Sequence, residues 1–216
     1  MLIETVSVAD AVANELRRRL LAGQYAGGAE LRDTDLSEEF GAARPTVRAA
    51  VQALVADGLL ERGRGQSARV RSFTAFDAVD LYRLRGPIEL SAVRLIIENH
   101  YALDRVEAAL TAFMSLADDV SWDQVADADI GFHRAVLAAA GSPRLLRTFN
   151  DVGAELRLLI AQLRPAYRGA HELAAEHEVL LEALRAGKLR PAVDAWREHL
   201  DAAQIFFLDL IKERTL

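Results

Sequence analysis

The sequence contains no cysteine. Disulfides and thiolate metal sites are therefore excluded, and any metal must be held by imidazole nitrogen and oxygen. It also lacks a run of about 18 uninterrupted apolar residues, so nothing in it reads as a membrane span. The stretch from Met1 to Asp10 has neither a basic n-region nor a long apolar segment. No secretory leader is expected, and a cytoplasmic location is the simplest expectation. Positive charge is short as well. The 216 residues carry 26 Lys and Arg against 32 Asp and Glu, a net charge of −6. Taken alone, that argues against a nucleic-acid partner.

The distribution of charge reverses this inference. Residues 1–72 hold ten Arg and ten acids, so residues 73–216, with 16 bases and 22 acids, account for the whole −6. Between positions 44 and 71 lie Arg44, Arg48, Arg62, Arg64, Arg69 and Arg71 against only Asp57 and Glu61, a local charge of +4. A basic patch on a small module tethered to an acidic body fits DNA binding at one end only. Apolar content of 51% and charged content of 27% are ordinary for a globular protein. The length suits one large domain or two small ones.

Punctuation along the chain divides it near Ser72. Ser7 to Asp10 reads as a capping box before a helix with an apolar stripe at Val8, Val12, Leu16 and Leu20, stopping at Gly23. Asp33 to Phe40 predicts a short helix closed by Gly41. Arg44 to Asp57 predicts another, with Pro45 in the first turn and Gly58 at its end. Leu59-Leu60-Glu61 and Ala68-Arg69-Val70 read as two short strands joined through Gly63 and Gly65. Beyond Ser72 only helices are expected. One runs from a capping box at Thr74–Asp77 to about Asn99, with Pro87 as a kink. Others span Leu103 to Asp118, Ser121 to Gly141, Ser142 to about Leu163 before Pro165, and His171 to Ala186, and a last one starts near Pro191. The fold class is mainly α: an N-terminal winged helix-turn-helix over residues 1–72, then an all-α antiparallel helical bundle over 73–216.

A helix-turn-helix lays its second helix in the major groove with its N-terminal residues against base edges. Arg44 opens that helix and Arg48 follows one turn later, and arginine suits bidentate contact to guanine or clamping of phosphate. One such stretch by itself is more often a solvated arginine face. The Gly/Arg hairpin behind it and the local charge favour DNA. The candidate DNA contacts are Arg32, Thr34, Arg44, Thr46, Arg48, Arg62 and Arg64.

The runs Leu31 to Gly41, Arg44 to Leu54 and Asp57-Gly58-Leu59-Leu60 resemble the N-terminal domain of GntR-type bacterial transcriptional regulators. Farther on, Arg85 and Glu89, Asp129-x-x-x-His133, Glu176-His177 and His199-Leu200 resemble the FCD effector domain of that family's FadR-like branch. The chain departs from the pattern at Ala43, where the family often has a Ser or Thr cap, at the swapped order Pro45-Thr46, and at Ala49, where an acid is common. An alanine cap weakens the helix by about 1 kcal/mol.

Asp129 and His133 are one helical turn apart and point the same way. Alone, such a pair is usually a surface hydrogen bond, and His177 and His199 read as core or groove histidines. The resemblance implies that all four surround one divalent ion inside the bundle. Three imidazoles and a carboxylate suit Zn²⁺, Ni²⁺, Mn²⁺ or Fe²⁺. Proton competition should lower occupancy below about pH 6. Arg85 is a candidate contact for a small carboxylate effector, or else a salt-bridge partner of Glu89. His100 and His171 read as ordinary helix-terminal residues. The expected protein is a homodimeric regulator, most such proteins being repressors, which binds an inverted-repeat operator under control of a small organic acid. The alternatives are a regulator for which the ion itself is the signal and, more distantly, a metallohydrolase. No H-E-x-x-H motif, second metal cluster or general base supports the last, and no enzymatic activity is expected.

Overall fold

The computed structural model describes residues 7–117, 119–161 and 169–215, with side chains to residue 212. They fall into two compact units, residues 1–72 and 73–216.

The first unit holds α1 (Val8–Leu21), β1 (Glu30–Leu31), α2 (Asp33–Phe40), α3 (Arg44–Ala56), β2 (Leu60–Glu61) and β3 (Ala68–Val70). Ser7 caps α1, its side chain accepting from the Asp10 N–H. Val12, Leu16 and Leu20 are buried, and α1 packs on α3 through Val12, Ala13 and Ala50. Val8 departs from the expected stripe. It lies in the first turn and is 65% exposed, so the packed face begins at Val12. Gly41 and Gly58 follow α2 and α3 with φ of 58° and 73°, left-handed conformations that glycine adopts without steric cost. The sheet is antiparallel in the order β1-β3-β2, with Glu30 opposite Arg69 and Leu60 opposite Val70. The sequence reading missed β1, because two residues carry no period.

The second unit contains α4 (Ala75–Asn99), α5 (Asp104–Met114), α6 (Trp122–Ala139), α7 (Pro143–Asp151), α8 (Gly153–Ala161), α9 (Ala170–Arg185) and α10 (Leu189–Thr215). Complete capping boxes start α4 at Thr74 and α6 at Ser121. The longest helices, α4 and α10, lie along one another, and α6 packs against α4, α5, α8 and α9. Pro87 lies inside α4 without ending it. The helix expected from Ser142 to about Leu163 is two helices, so the described residues give seven helices here, not six. Val152 leaves the helical region at φ −104°, ψ 1°, and its N–H turns to the Phe149 carbonyl. Asn150, Asp151 and Gly153 around it are all weak helix formers, so the break costs little. Leu163, Pro165 and Asp118 lie outside the described residues. Among those described, no helix is long and apolar enough to cross a membrane.

The N-cap of α3 offers a direct test of local stability. Ala43 has the extended backbone of a cap (φ −63°, ψ 142°), no side-chain cap bond, and an exposed position. Ala43→Ser supplies the missing acceptor. It should stabilise the N-terminal unit by about 1 kcal/mol, read as slower hydrogen exchange of the first α3 amides and a higher denaturant midpoint for this unit.

Candidate functional site

Three helices of the helical unit bring histidines and a carboxylate together. Asp129 and His133 lie on α6, His177 on α9 and His199 on α10. The ligand nitrogens of the three histidines all lie within 4.8 Å of one another. His133 and His177 are fully buried, and Asp129 is nearly so. His133 Nε2 is 3.1 Å from His177 Nε2, which in turn is 3.1 Å from Asp129 Oδ1. Phe132 meets the His177 ring edge-on, at 4.9 Å between centroids, and Phe113 lies tilted against the same ring at 5.3 Å. Apolar walls thus enclose a polar centre.

The hydrogen bonds behind the rings decide what the centre can hold. His177 Nδ1 lies 2.8 Å from the Leu173 carbonyl, which can only accept. His133 Nδ1 lies 2.7 Å from Glu89 Oε2. Burial, the largest single influence, opposes ionisation of Glu89, but the charges and hydrogen bonds of Arg85 and His133 together outweigh it and keep it a carboxylate, again only an acceptor. Both rings therefore carry their proton on Nδ1 and turn an Nε2 lone pair inward. Where both rings are neutral they make, with Asp129 Oδ1, three converging acceptors. Asp129 Oδ2 is buried without a partner. Such a cluster needs positive charge among its members, supplied by an added proton or by a cation. Burial, together with the charge of Arg85, pushes the His133 pKa down to about 4, which disfavours the proton at neutral pH. Nitrogen and oxygen donors of this kind fit a borderline divalent ion.

Glu89 ties this centre to the rest of the bundle. Its side chain has no solvent exposure. Oε1 accepts from Arg85 Nε at 2.5 Å, and Oε2 accepts from His133 Nδ1 and from Trp196 Nε1 at 3.0 Å. Arg85 thus does make the Glu89 pair anticipated as one of its two readings. Its Nη1 donates to the Tyr82 hydroxyl at 3.3 Å, whereas Nη2 is buried with no partner. One cationic N–H group consequently remains for an anion. Trp196 was not foreseen; an isolated tryptophan on an apolar helix face gives no sign that its N–H reaches a carboxylate 107 residues away. His199 Nδ1 lies 3.5 Å from Glu176 at the more open side.

In the first unit, Arg44 and Arg64 are exposed and unpaired among the described residues, at the start of α3 and in the β2–β3 hairpin. Thr46, in the first turn of α3, is half-buried. Arg32 precedes α2 and contacts Glu30, and the Thr34 hydroxyl donates to Asp35. Arg48 is exposed and touches Asp33. Arg62 differs from the other candidates, since it is largely enclosed and bonded to Asp33 and to the Gln66 carbonyl.

Family models match nearly the whole chain. Residues 8–70 match the gntR family of bacterial regulatory proteins, and residues 80–202 match the FCD domain. The chain belongs to the GntR family. Among similar proteins, the "Probable D-xylose utilization operon transcriptional repressor" of Paenarthrobacter nicotinovorans is 29% identical over 197 residues, which are 91% of this chain and 87% of that protein. The galactonate operon transcriptional repressor of Escherichia coli K12 is 26% identical over 163 residues, 65% of this chain and 70% of the other. A crystal structure of a GntR transcriptional regulator from Rhodococcus sp. RHA1 superposes with a TM-score of 0.80 at 28% identity, covering 93% of this chain and 97% of that one. This GntR-family protein is accordingly a transcriptional regulator and not an enzyme, with a DNA-binding winged helix-turn-helix and a helical FCD domain.

Breaking the buried network at one partner should destabilise the FCD domain. Glu89→Gln leaves the Arg85 charge buried and uncompensated. A loss of about 3–5 kcal/mol is expected in denaturant unfolding. Arg185→Gln, which cuts the half-exposed Arg185–Glu107 pair, should cost less than about 1 kcal/mol. Metal-free protein should also lose stability as pH falls from 6.5 toward 4, because the unfolded chain takes up a proton that buried His133 refuses. Thermal melts across that range check the sign.

Proposed function

We propose that this protein is an operator-binding regulator, in most such cases a repressor, whose DNA affinity is set by a small organic acid bound at a divalent metal in the FCD domain. The observation that carries the reading is the convergence of three histidines, with their ligand nitrogens within 4.8 Å of one another, beside the buried Asp129 carboxylate. Asp129, His133, His177 and His199 would hold one Zn²⁺, Ni²⁺, Mn²⁺ or Fe²⁺ per chain. The ion would offer remaining coordination positions to a carboxylate. The unpartnered Nη2 of Arg85 supplies a second positive contact for the same anion. The galactonate name of one relative supports an acid as ligand, and the xylose name of another supports carbohydrate catabolism as the setting.

In the reader head, Arg44, Thr46 and Arg48 face the major groove from the start of α3, and Arg64 reaches DNA from the hairpin. Arg32 and Thr34 lie at the start of α2, in reach of phosphate. One recognition helix covers few base pairs, so a homodimer on an inverted repeat supplies the needed specificity. The protein acts in the cytoplasm, where its operator is. Effector binding shifts the population of dimers competent to hold both half-sites.

Protein purified without chelator should contain one equivalent of metal by elemental analysis. Chelation should lower the melting temperature of the FCD domain, since an ion that binds only the folded state stabilises it. It should also abolish the effect of carboxylates on DNA binding while leaving DNA binding itself. Substoichiometric metal, with no uptake of added Zn²⁺, Ni²⁺ or Mn²⁺, overturns the reading. Occupancy should fall with falling pH as protons take the imidazoles. Because burial holds His133 near 4, that loss should extend below the pH 6 of an ordinary histidine. A metal that exchanges at low concentration and alters DNA binding without any acid would favour the ion as signal. For the reader head, Arg44→Ala and Arg48→Ala should each weaken operator binding by about 1–3 kcal/mol in a gel-shift titration.

A further inference from the structure

Asp33 is the first residue of α2, and its side chain is 11% exposed where α2, α3 and the β2–β3 hairpin meet. Its Oδ2 accepts from Arg62 Nη2 at 2.7 Å and from Arg48 Nε at 3.3 Å. The two arginines are used differently. Arg62 also gives Nε to the Gln66 carbonyl, and its side chain is 19% exposed, so it is consumed inside the module. Arg48 gives Asp33 only Nε and is 68% exposed. Its two terminal nitrogens have no partner among the described residues. An arginine held at Nε keeps the paired outer N–H groups that match guanine O6 and N7. It has also given up part of its rotamer freedom before DNA arrives, which lowers the entropic cost of a directed contact.

A carboxylate beside a DNA-binding helix is otherwise a liability, because it repels phosphate and weakens sequence-independent attraction. An acid at the start of α2 also suits the helix dipole, a purely structural role that any first-turn position could serve. Neither consideration accounts for one oxygen shared between the hairpin and the recognition helix. We propose that Asp33 is a specificity-determining positioning residue for DNA reading: Arg62 holds its carboxylate, and the carboxylate aims Arg48 at a base edge. This rests on α3 being the helix that enters the groove.

The test uses the full chain and two duplexes. One is selected by the wild-type protein from a randomised oligonucleotide pool, and the other is a scrambled sequence of the same composition. Asp33→Asn keeps the shape and removes the charge. The preference for the selected duplex should fall about tenfold, the value of one good base contact. Affinity for the scrambled duplex should rise, because a negative charge has gone. With Arg48→Ala already present, Asp33→Asn should change the preference by less than about twofold, since the contact it aims is absent. Asp33→Glu, which keeps the charge, should recover most of the preference. An unchanged preference in Asp33→Asn overturns the proposal. So does an equal loss in both Arg48 backgrounds, or a parallel loss of both duplexes with a lowered melting temperature, which marks a structural role. A wild-type protein that selects no sequence overturns the placement of α3 in the groove, a separate failure.

Discussion

The carboxylate of Glu89 is sealed from solvent and accepts from three donors, on α4, α6 and α10. A lone charge in that position would be costly to bury. Arg85 removes the cost by pairing with it, and the bond that remains on the other oxygen sets the tautomer of His133. The direction of an imidazole lone pair in the centre of the FCD domain thus depends on an ion pair one turn away on a different helix. Trp196 adds a third tie, fixing α10 at the level of the same carboxylate. The helices of this domain share apolar contacts throughout, and the buried apolar face of α6 already looks inward; the polar junction adds a directional tie to that packing.

The reader head repeats the logic at smaller scale. There too one carboxylate, Asp33, joins arginines from separate elements. The difference is exposure. Arg85 is 2% exposed and its charge must be balanced, whereas Arg48 is 68% exposed and retains free N–H groups. Burial converts an arginine–acid pair into architecture; partial exposure leaves it available to a partner.

Helices that announce themselves locally were legible in the sequence. Asp33–Phe40 and Arg44–Ala56 carry apolar periodicity, a first-turn proline in the second case, and a glycine just beyond the C-terminal end of each, so their bounds could be read to within a residue or so. The Asp129–His133 spacing likewise showed that both side chains share a face. What escaped was nonlocal or too short. The β1 strand has two residues and no alternation. The break at Val152 arises from the weak helix formers that flank it, Asn150, Asp151 and Gly153, none of them a proline. Glu89 was visible as a neighbour of Arg85, but its bonds to His133 and Trp196 span 44 and 107 residues, and no pattern in the chain encodes that meeting. Arg62 looked like any other wing arginine until its surroundings showed it bonded inward.

The absence of cysteine acquires a meaning beside the histidine cluster. Every group at that centre binds through nitrogen or oxygen, and none can form a disulfide or a sulfenic acid. Peroxide and disulfide stress, which dismantle thiolate centres, have no sulfur to attack there. With no cysteine anywhere in its sequence, this regulator has no thiol of its own through which to register the redox state of its surroundings.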